Sequence, residues 1–417
     1  MRSVFRDSWV SVTIVLVLVG LAAGSVPLIG LGVLVFGTGG MARLWARVSL
    51  EDVRYARVVR ERRVFMGETI DLRLRVANEK RIPVPWLEVR EYLPAATPVE
   101  GAHVTPSGVA GTVLMQRSTA LGANERLEWP LTLAAAERGF FRLGPTRLRS
   151  SDLFGIFERE ETVRGTDSVV VYPRTYSLPD LGIISARPFG ERAGGHRIFE
   201  DPVRVIGVRD YLPGDPLKRV DWNATARTGR LQSRLYEPSR TQAVVVALNI
   251  STMDQSWLGF DPLLLERNVV VAASVARWAF EQRAAVGLVA NGSFPDADRA
   301  IRIGAGSHSD QLVRVLEALA MIAPFTISSL ASELERPGHA LPAGATLIVV
   351  ASLMPDDLAA TLRRLRGEGH AVHVVKTTSA EWDVALAPIP VVNIESVMHA
   401  LEAAEATPAA PSAATAR

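Results

Sequence analysis

The sequence predicts a multidomain membrane protein: a transmembrane helical hairpin, then a β-sandwich-like domain, then a Rossmann-like α/β domain with a mainly parallel sheet. Three patterns carry that expectation. A charge-free run extends from Trp9 to Ala42, short alternating strands fill residues 51–178, and strands alternate with helical segments from Thr241 onward.

As one straight helix the charge-free run, about 34 residues, would reach roughly 51 Å, against a hydrocarbon core of about 30 Å. Gly24, Ser25 and Pro27 punctuate its middle, so two spans at about 5–24 and 25–45 fit better than one. Arg2 and Arg6 flank one end, while Arg43, Arg47, Arg54 and Arg57 flank the other. The positive-inside rule then puts both ends in the cytoplasm, together with the domains that follow. A cleaved signal peptide ending near "LAAGS" is the competing reading, and the second apolar run directly after it argues against cleavage.

In "ETIDLRLRVAN" the residues Ile70, Leu72, Leu74 and Val76 alternate with polar ones, and "RLEWPLTL" repeats the pattern with Leu127, Trp129, Leu131 and Leu133. Further strands are expected in "WLEVREYL", "TVLMQRST", "FFRLGPTRLRS" and "SVVVYP". The stretch from "RGFFRLGP" to "SSDLFGIF" reads as hairpin and core. Residues 179–240 form a separate linker or clamp, described below. Residues 241–401 alternate: strand "QAVVVALNI", a helix beginning at Asp261-Pro262, strands "AAVGLVANG" and "RAIRIG", a helix capped by Ser309, strand "ATLIVVAS", helix "PDDLAATLRRLRGEG" and strand "HAVHVVKT". The Ala/Pro-rich residues 402–417 read as a disordered tail.

Composition removes several function classes. With 46 basic against 44 acidic residues the net charge is +2, so no whole-chain field invites nucleic acid. The absence of cysteine excludes disulfides, thiolate metal sites and cysteine nucleophiles. No Gly-Lys pair exists to build a phosphate-cradling Walker loop, and neither G-x-S-x-G nor H-E-x-x-H occurs. "GAGSHS" lacks the third glycine of a dinucleotide loop, and His370 and His373, three apart on a strand, would face opposite ways. The juxtamembrane arginines Arg43, Arg47, Arg54, Arg57, Arg60, Arg62 and Arg63 suit lipid headgroups.

Two stretches remain as candidate sites. After the first α/β strand, a von Willebrand factor A-type domain places D-x-S-x-S to hold Mg²⁺ through oxygen atoms. Here the loop reads Asn249-Ile250-Ser251-Thr252-Met253, with a neutral amide first and a thioether last, and Ser352 stands in the later loop. This degenerate loop is expected to hold no metal, and the protein no cofactor. The other stretch, "VRDYLPGDPLKRVDWNATARTG", mixes arginines and carboxylates around a Pro-Gly turn. As a clamp or docking surface it would bury Val220 and Trp222 and pair its charges, with Asp215 capping a helical turn. As a hydrolytic site it would use Asp215 or Asp221 as base and Arg209 and Arg227 as anion binders. Pairing with arginine lowers a carboxylate's pKa, which favours the clamp.

Arg209, Tyr211, Pro213, Gly214, Asp215, Arg219, Asp221, Trp222, Ala226, Arg227 and Gly229 together resemble the signature of the domain of unknown function 58 family. The resemblance extends to the apolar N-terminus, the "RGFFRLGP…DLFGIF" region and the α/β end. It implies a membrane-anchored protein with a von Willebrand factor A-like domain, commonly paired with a MoxR-type AAA+ ATPase that assembles or activates other complexes. It implies no established reaction, so a non-enzymatic adaptor is the expectation and no catalytic residue is assigned.

Overall fold

The computed structural model describes residues 2–183, 199–212, 219–239, 242–253, 259–295, 297–336 and 341–406. The chain divides into two units, Met1–Pro173 and Arg174–Arg417.

The first unit opens with helices α1 (Arg2–Ala22) and α2 (Val26–Val48). Gly24, at a φ of 59°, reverses the chain, and Pro27 occupies the first turn of α2, where its missing N–H costs nothing. The two helices run antiparallel and close. A β-carbon added to Gly20, Gly32 or Gly39 would meet Ile29, Val17 or Trp9 at 2.5–2.8 Å, the close approach that small residues permit between apolar helices. Among the described residues one helix, Val26–Val48, is long and apolar enough to cross a membrane; the apolar part of α1, Trp9–Ala22, is shorter.

Twelve strands follow in this unit: β1 (Val53–Val59), β2 (Arg63–Phe65), β3 (Thr69–Asn78), β4 (Val84–Pro94), β5 (Val99–Glu100), β6 (Val104–Pro106), β7 (Thr112–Leu121), β8 (Arg126–Ala134), β9 (Gly139–Leu143), β10 (Thr146–Ser151), β11 (Glu158–Val163) and β12 (Asp167–Tyr172). They form sheets ordered β1-β3-β8-β5 and β11-β10-β4-β7-β6, with a smaller β2-β12-β9 sheet. Alternation makes the core: Ile70, Leu72, Leu74 and Val76 of β3 are buried as expected and pack with Leu87, Leu93 and Met115 of the facing sheet.

One juxtamembrane arginine departs from the exposed headgroup reading, and three others are exposed in surface ion pairs. Arg57 is buried, with its Nε 2.8 Å from Glu91 and Nη1 3.3 Å from Asp167. Arg54, Arg60 and Arg62 pair with Glu79, Asp71 and Asp167. The "DLFGIF" turn departs from the core reading as well, because Leu153 and Phe154 are exposed.

In the second unit, residues 174–183 lie against the α/β body: the Tyr176 N–H donates to Ser274 Oγ at 2.9 Å, and Leu178 and Leu181 are buried. Next come β13 (Phe199–Asp210), α3 (Trp222–Thr228) and β14 (Gln232–Ser239), in which β13 and β14 pair antiparallel. The α/β body comprises β15 (Ala243–Leu248), α4 (Pro262–Glu281), β16 (Ala285–Ala290), β17 (Ile301–Gly306), α5 (Gln311–Met321), α6 (Leu330–Glu335), β18 (Thr346–Ala351), α7 (Asp356–Gly367), β19 (Ala371–Lys376), β20 (Val391–Asn393) and α8 (Glu395–Ala406). The sheet order is β17-β16-β15-β18-β19-β20, parallel except at the β17 edge. α6 and α7 cover the face carrying Val245, Ala247, Leu347 and Val349.

Helix starts follow their caps. Asp261 accepts from the N–H groups of Leu263 and Leu264 with Pro262 behind it, as expected. α5 begins later than the Ser309 cap implies, with Asp310 at the boundary and no side-chain cap. His370 lies just before β19, not on it. Composition starts a tail at residue 402, yet α8 runs on to Ala406. Glu402 is held there by Arg267 through two bonds of 2.7 and 2.6 Å, an anchor that composition cannot register.

Candidate functional site at the carboxyl ends of the strands

Four of the five parallel strands of the second unit are followed by a small polar residue: Asn249 after β15, Asn291 after β16, Ser352 after β18 and Thr377 after β19. The carboxyl ends of such strands are where open α/β sheets bind ligands. Here those residues meet one another. Asn291 Nδ2 donates to Asn249 Oδ1 at 3.0 Å, and Asn291 Oδ1 accepts from the Ile250 N–H at 2.8 Å. Asn249 Nδ2 donates to the Leu353 carbonyl, and its Oδ1 accepts a second bond from the Ser251 N–H. Asn268 reaches down from α4, donating to the Asn249 carbonyl and Ser352 Oγ at 3.1 Å and accepting from Thr377 Oγ1 at 2.5 Å.

All three asparagines are buried. An amide carries both donors and acceptors, so linked amides and hydroxyls can satisfy one another without an ion. The donor set does not fit a hard dication. Asn249 Oδ1 is spent on two N–H donors, Ser251 Oγ accepts from Asn291 Nδ2, and Met253 offers only sulfur. Among the described residues no three histidines, aspartates or glutamates cluster as metal ligands.

Several apolar residues on the loops around this network are exposed. Thr252 Oγ1 accepts from the Asp261 N–H at 2.8 Å, which brings Phe260 and Leu263 beside the loop of Met253. The Ile327 N–H donates to the Asn291 carbonyl, and Thr326 Oγ1 lies 3.5 Å from Ser251 Oγ. Met253, Phe260, Leu263, Phe325 and Ile327 are all exposed, Phe325 at 69%.

The signature stretch folds locally around Asp221. Its carboxylate caps α3, with Oδ1 accepting from the Asn223 and Ala224 N–H groups at 3.1 and 3.0 Å, while Arg234 Nε donates to Oδ2 at 3.1 Å. The cap bond from Ala224, followed by Arg234, holds the carboxyl below the usual aspartate range. Gly229 closes the helix in the left-handed region at a φ of 67°, where glycine alone is unstrained. Asp210 accepts from Gln232 Nε2 at 2.6 Å, the Tyr211 N–H donates to the Leu231 carbonyl, and Arg209 donates to the Asp210 carbonyl. Arg227 sits in the last turn of α3, and Arg219 precedes the buried Val220. Trp222 does not face inward: it is the first residue of α3, a helix with no buried residue, and is 66% exposed. Pro213, Gly214 and Asp215 lie outside the described residues.

Residues 207–392 match the family described as protein of unknown function DUF58. The match spans both the signature stretch and the strand-end network, and the residues that carried the resemblance are the described ones named above together with Pro213, Gly214 and Asp215. The helical hairpin and the β-rich domain precede the DUF58 region. The uncharacterized protein YeaD of Bacillus subtilis (strain 168) is 23% identical over 257 residues, which cover 60% of this chain and 59% of that relative. Among solved structures, the CARDB domain of a Pyrococcus furiosus protein is 16% identical over 29% of this chain and 90% of its own, with a TM-score of 0.19. A cohesin module from Clostridium perfringens is 10% identical over 28% and 97%, with a TM-score of 0.21. Neither bears on the fold, which rests on the strand order and register.

The sequence pointed to Asn249, Ser251 and Met253 but missed Asn268, Asn291 and Thr377 and the exposed residues around them. A readable signal was present in the polar residue that follows each buried strand. Asn268, lone on an apolar helix face, was another.

Proposed function

We propose that this chain is a membrane-anchored, non-enzymatic docking protein, whose von Willebrand factor A-like region presents the strand-end surface to a protein partner. The partner is of the MoxR-type AAA+ class, as the family resemblance implies, and the pair would assemble or activate other complexes. The anchor is a two-span hairpin with both ends on the cytoplasmic side.

The observation that supports this reading is the set of exposed apolar residues Met253, Phe260, Leu263, Phe325 and Ile327 on the loops around a buried amide network. Apolar residues gathered in the open mark a contact site, and among the described residues the network contains no carboxylate or imidazole to serve as a base. A hydrolytic site needs a carboxylate able to take a proton near neutral pH. Asp221 is committed to a helix cap and an arginine, and its carboxyl is held low.

The test is capture of the purified MoxR-type ATPase by the full chain in lipid nanodiscs. Leu263→Ser with Phe325→Ser should cost at least about 2 kcal/mol of binding, the usual scale for a buried apolar anchor, with no change in thermal unfolding. Failure of the wild-type chain to capture the ATPase with or without nucleotide would rule the reading out.

A further inference from the structure

The turn between β10 and β11 holds two large apolar residues in the open, Leu153 at 61% and Phe154 at 64% exposure. It is not a loose loop. The Asp152 N–H donates to the Phe157 carbonyl at 3.1 Å, the Gly155 N–H to the Asp152 carbonyl at 3.2 Å, and the Ile156 N–H to Asp152 Oδ1 at 2.7 Å. The fold therefore presents Leu153 and Phe154 to their surroundings from a hydrogen-bonded frame.

The base of that frame is fastened to the helical hairpin. Phe157 packs among Trp9, Ala42 and Ala46 with Ile156 alongside, the Trp9 ring meets it edge-on at 6.3 Å, and the Arg43 guanidinium lies 5.7 Å above it. α2 enters the β domain without a flexible stalk. Lys80 Nζ donates to the carbonyls of Val48, Ser49 and Glu51 at 2.7, 2.5 and 2.7 Å, Arg159 Nη1 donates to the Arg47 carbonyl, and Leu50 is buried in the sheet core.

These contacts fix a direction. Arg159 lies level with Arg47 and Glu51, whereas Phe157 lies level with Ala42 and Ala46. Two strand residues advance about 7 Å, and four to five helix residues advance about the same distance. Walking back along β11 thus climbs α2 toward its N-terminal half, and Phe154 lies further along the same climb. That places it at the level where α2 loses its last charge, since the run from Trp9 to Ala42 carries none.

We propose that Leu153 and Phe154 insert into the boundary between headgroups and acyl chains of the bilayer that α2 crosses, a third membrane contact that sets how the β domain sits on the surface. The proposal rests on the membrane-anchor reading. Aromatic and branched aliphatic side chains at this depth, beside a tryptophan and two arginines, are the composition that interfacial anchors use.

The chain has no cysteine, so single cysteines carry a nitroxide label without further engineering. Three full-length variants in lipid nanodiscs decide the matter: Phe154→Cys, Leu34→Cys on the exposed face of α2, and Val109→Cys. Val109 lies toward the other end of the same sheet: Ser150 pairs with Leu87, whereas Thr112 pairs with Pro94 at the opposite end of β4. Power saturation measures collision with oxygen, which enters lipid, and with a water-soluble nickel chelate. At position 154 the nickel collision rate should be about five-fold below that at 109, because polar reagents are excluded from the hydrocarbon, and oxygen accessibility should be higher. Nickel access at 154 equal to that at 109, with 34 shielded, would overturn the insertion and leave the anchor standing. Nickel access at 34 would overturn the anchor and the insertion with it. Leu153→Cys repeats the measurement one residue away, should position 154 perturb the turn.

Discussion

Each unit of the molecule buries a polar network, and these two are built from opposite chemistry. In the β domain Tyr55, Arg57, Glu91, Thr146 and Asp167 form an ionised cluster. Arg57 Nε lies 2.8 Å from Glu91 Oε1, Tyr55 and Thr146 donate to Glu91 Oε2 at 2.7 and 2.5 Å, and Arg57 also reaches the Leu143 and Gly165 carbonyls. In the α/β body Asn249, Asn268 and Asn291 do without charge. The ionised cluster joins β1 of one sheet to β4 and β10 of the other, so its long, directional side chains fix the alignment of two sheets that apolar packing alone would let slide. The amide network lies beneath exposed apolar residues, where the proposed docking would have to bury any charge left there. Charge serves where the counter-charge is built in; neutrality suits a surface of the kind proposed.

The largest effect should come from breaking the ionised cluster. Glu91→Ala leaves the buried Arg57 guanidinium with only the longer 3.3 Å contact to Asp167, and removing one member of a buried pair costs about 3–5 kcal/mol. Hydrogen exchange resolved by segment should show that loss in the strands of the first unit and leave β15 and β18 unchanged. Replacing both partners, Arg57→Met with Glu91→Leu, should recover most of it, because the penalty is the orphaned charge. A double variant as unstable as the single would assign the cost to packing.

The amide network should yield less. Asn268→Leu keeps the branch at Cγ with somewhat more bulk and removes the donor to the Asn249 carbonyl, while the hydroxyls of Ser352 and Thr377 can turn to other acceptors. One neutral group left unpaired costs about 1–3 kcal/mol. The loss should be confined to the second unit and should not vary with pH, since no member of the network titrates. Restoring the charged residue of a metal loop, Asn249→Asp, should destabilise rather than recruit Mg²⁺, because it sets a carboxylate against the Leu353 carbonyl that the amide now serves.

How much of this was written in the sequence differs between the same two regions. Strand alternation in "IDLRLRV" and "RLEWPLTL" reports burial directly, since side chains on a strand alternate between faces, and both strands lie where that pattern puts them. The cap at Asp261-Pro262 was equally legible, because it depends on adjacent residues only. The Arg57–Glu91 pair was not, for its partners are separated by a sheet-to-sheet register that local pattern does not encode. Arg57 therefore read as a headgroup contact. Trp222 read as core because it is large and apolar, and its place in the first turn of a helix with no buried residue becomes visible only once α3 is known to start there. Asn249 stood out in sequence as a missing charge. What its amide does instead required Asn291 and Asn268, 42 and 19 residues away.

Acid and base separate the networks most finely, because two carboxylates are shifted in opposite directions and the amides not at all. Burial pushes the Glu91 carboxyl above the usual glutamate range, with Arg57, Thr146 and Tyr55 pulling the other way. The folded chain therefore holds that proton more tightly than the unfolded one. As pH rises from the ordinary glutamate value to the raised one, the unfolded chain loses its proton first, and the first unit should lose stability across that window. Asp221 has the reverse sign. The Ala224 N–H and Arg234 hold it low, so its contribution is complete above the ordinary aspartate value and is lost as pH falls through the depressed one. Glu91→Gln should flatten the slope in the exchange of β4 and β10. Asp221→Asn, which keeps a cap acceptor, should flatten the acid-side slope in α3 and leave the slope in the first unit intact. A slope in the β15 and β18 amides that survives both substitutions would mean that a titrating group reaches the amide network after all, and the neutrality that the proposed docking surface assumes would fail with it.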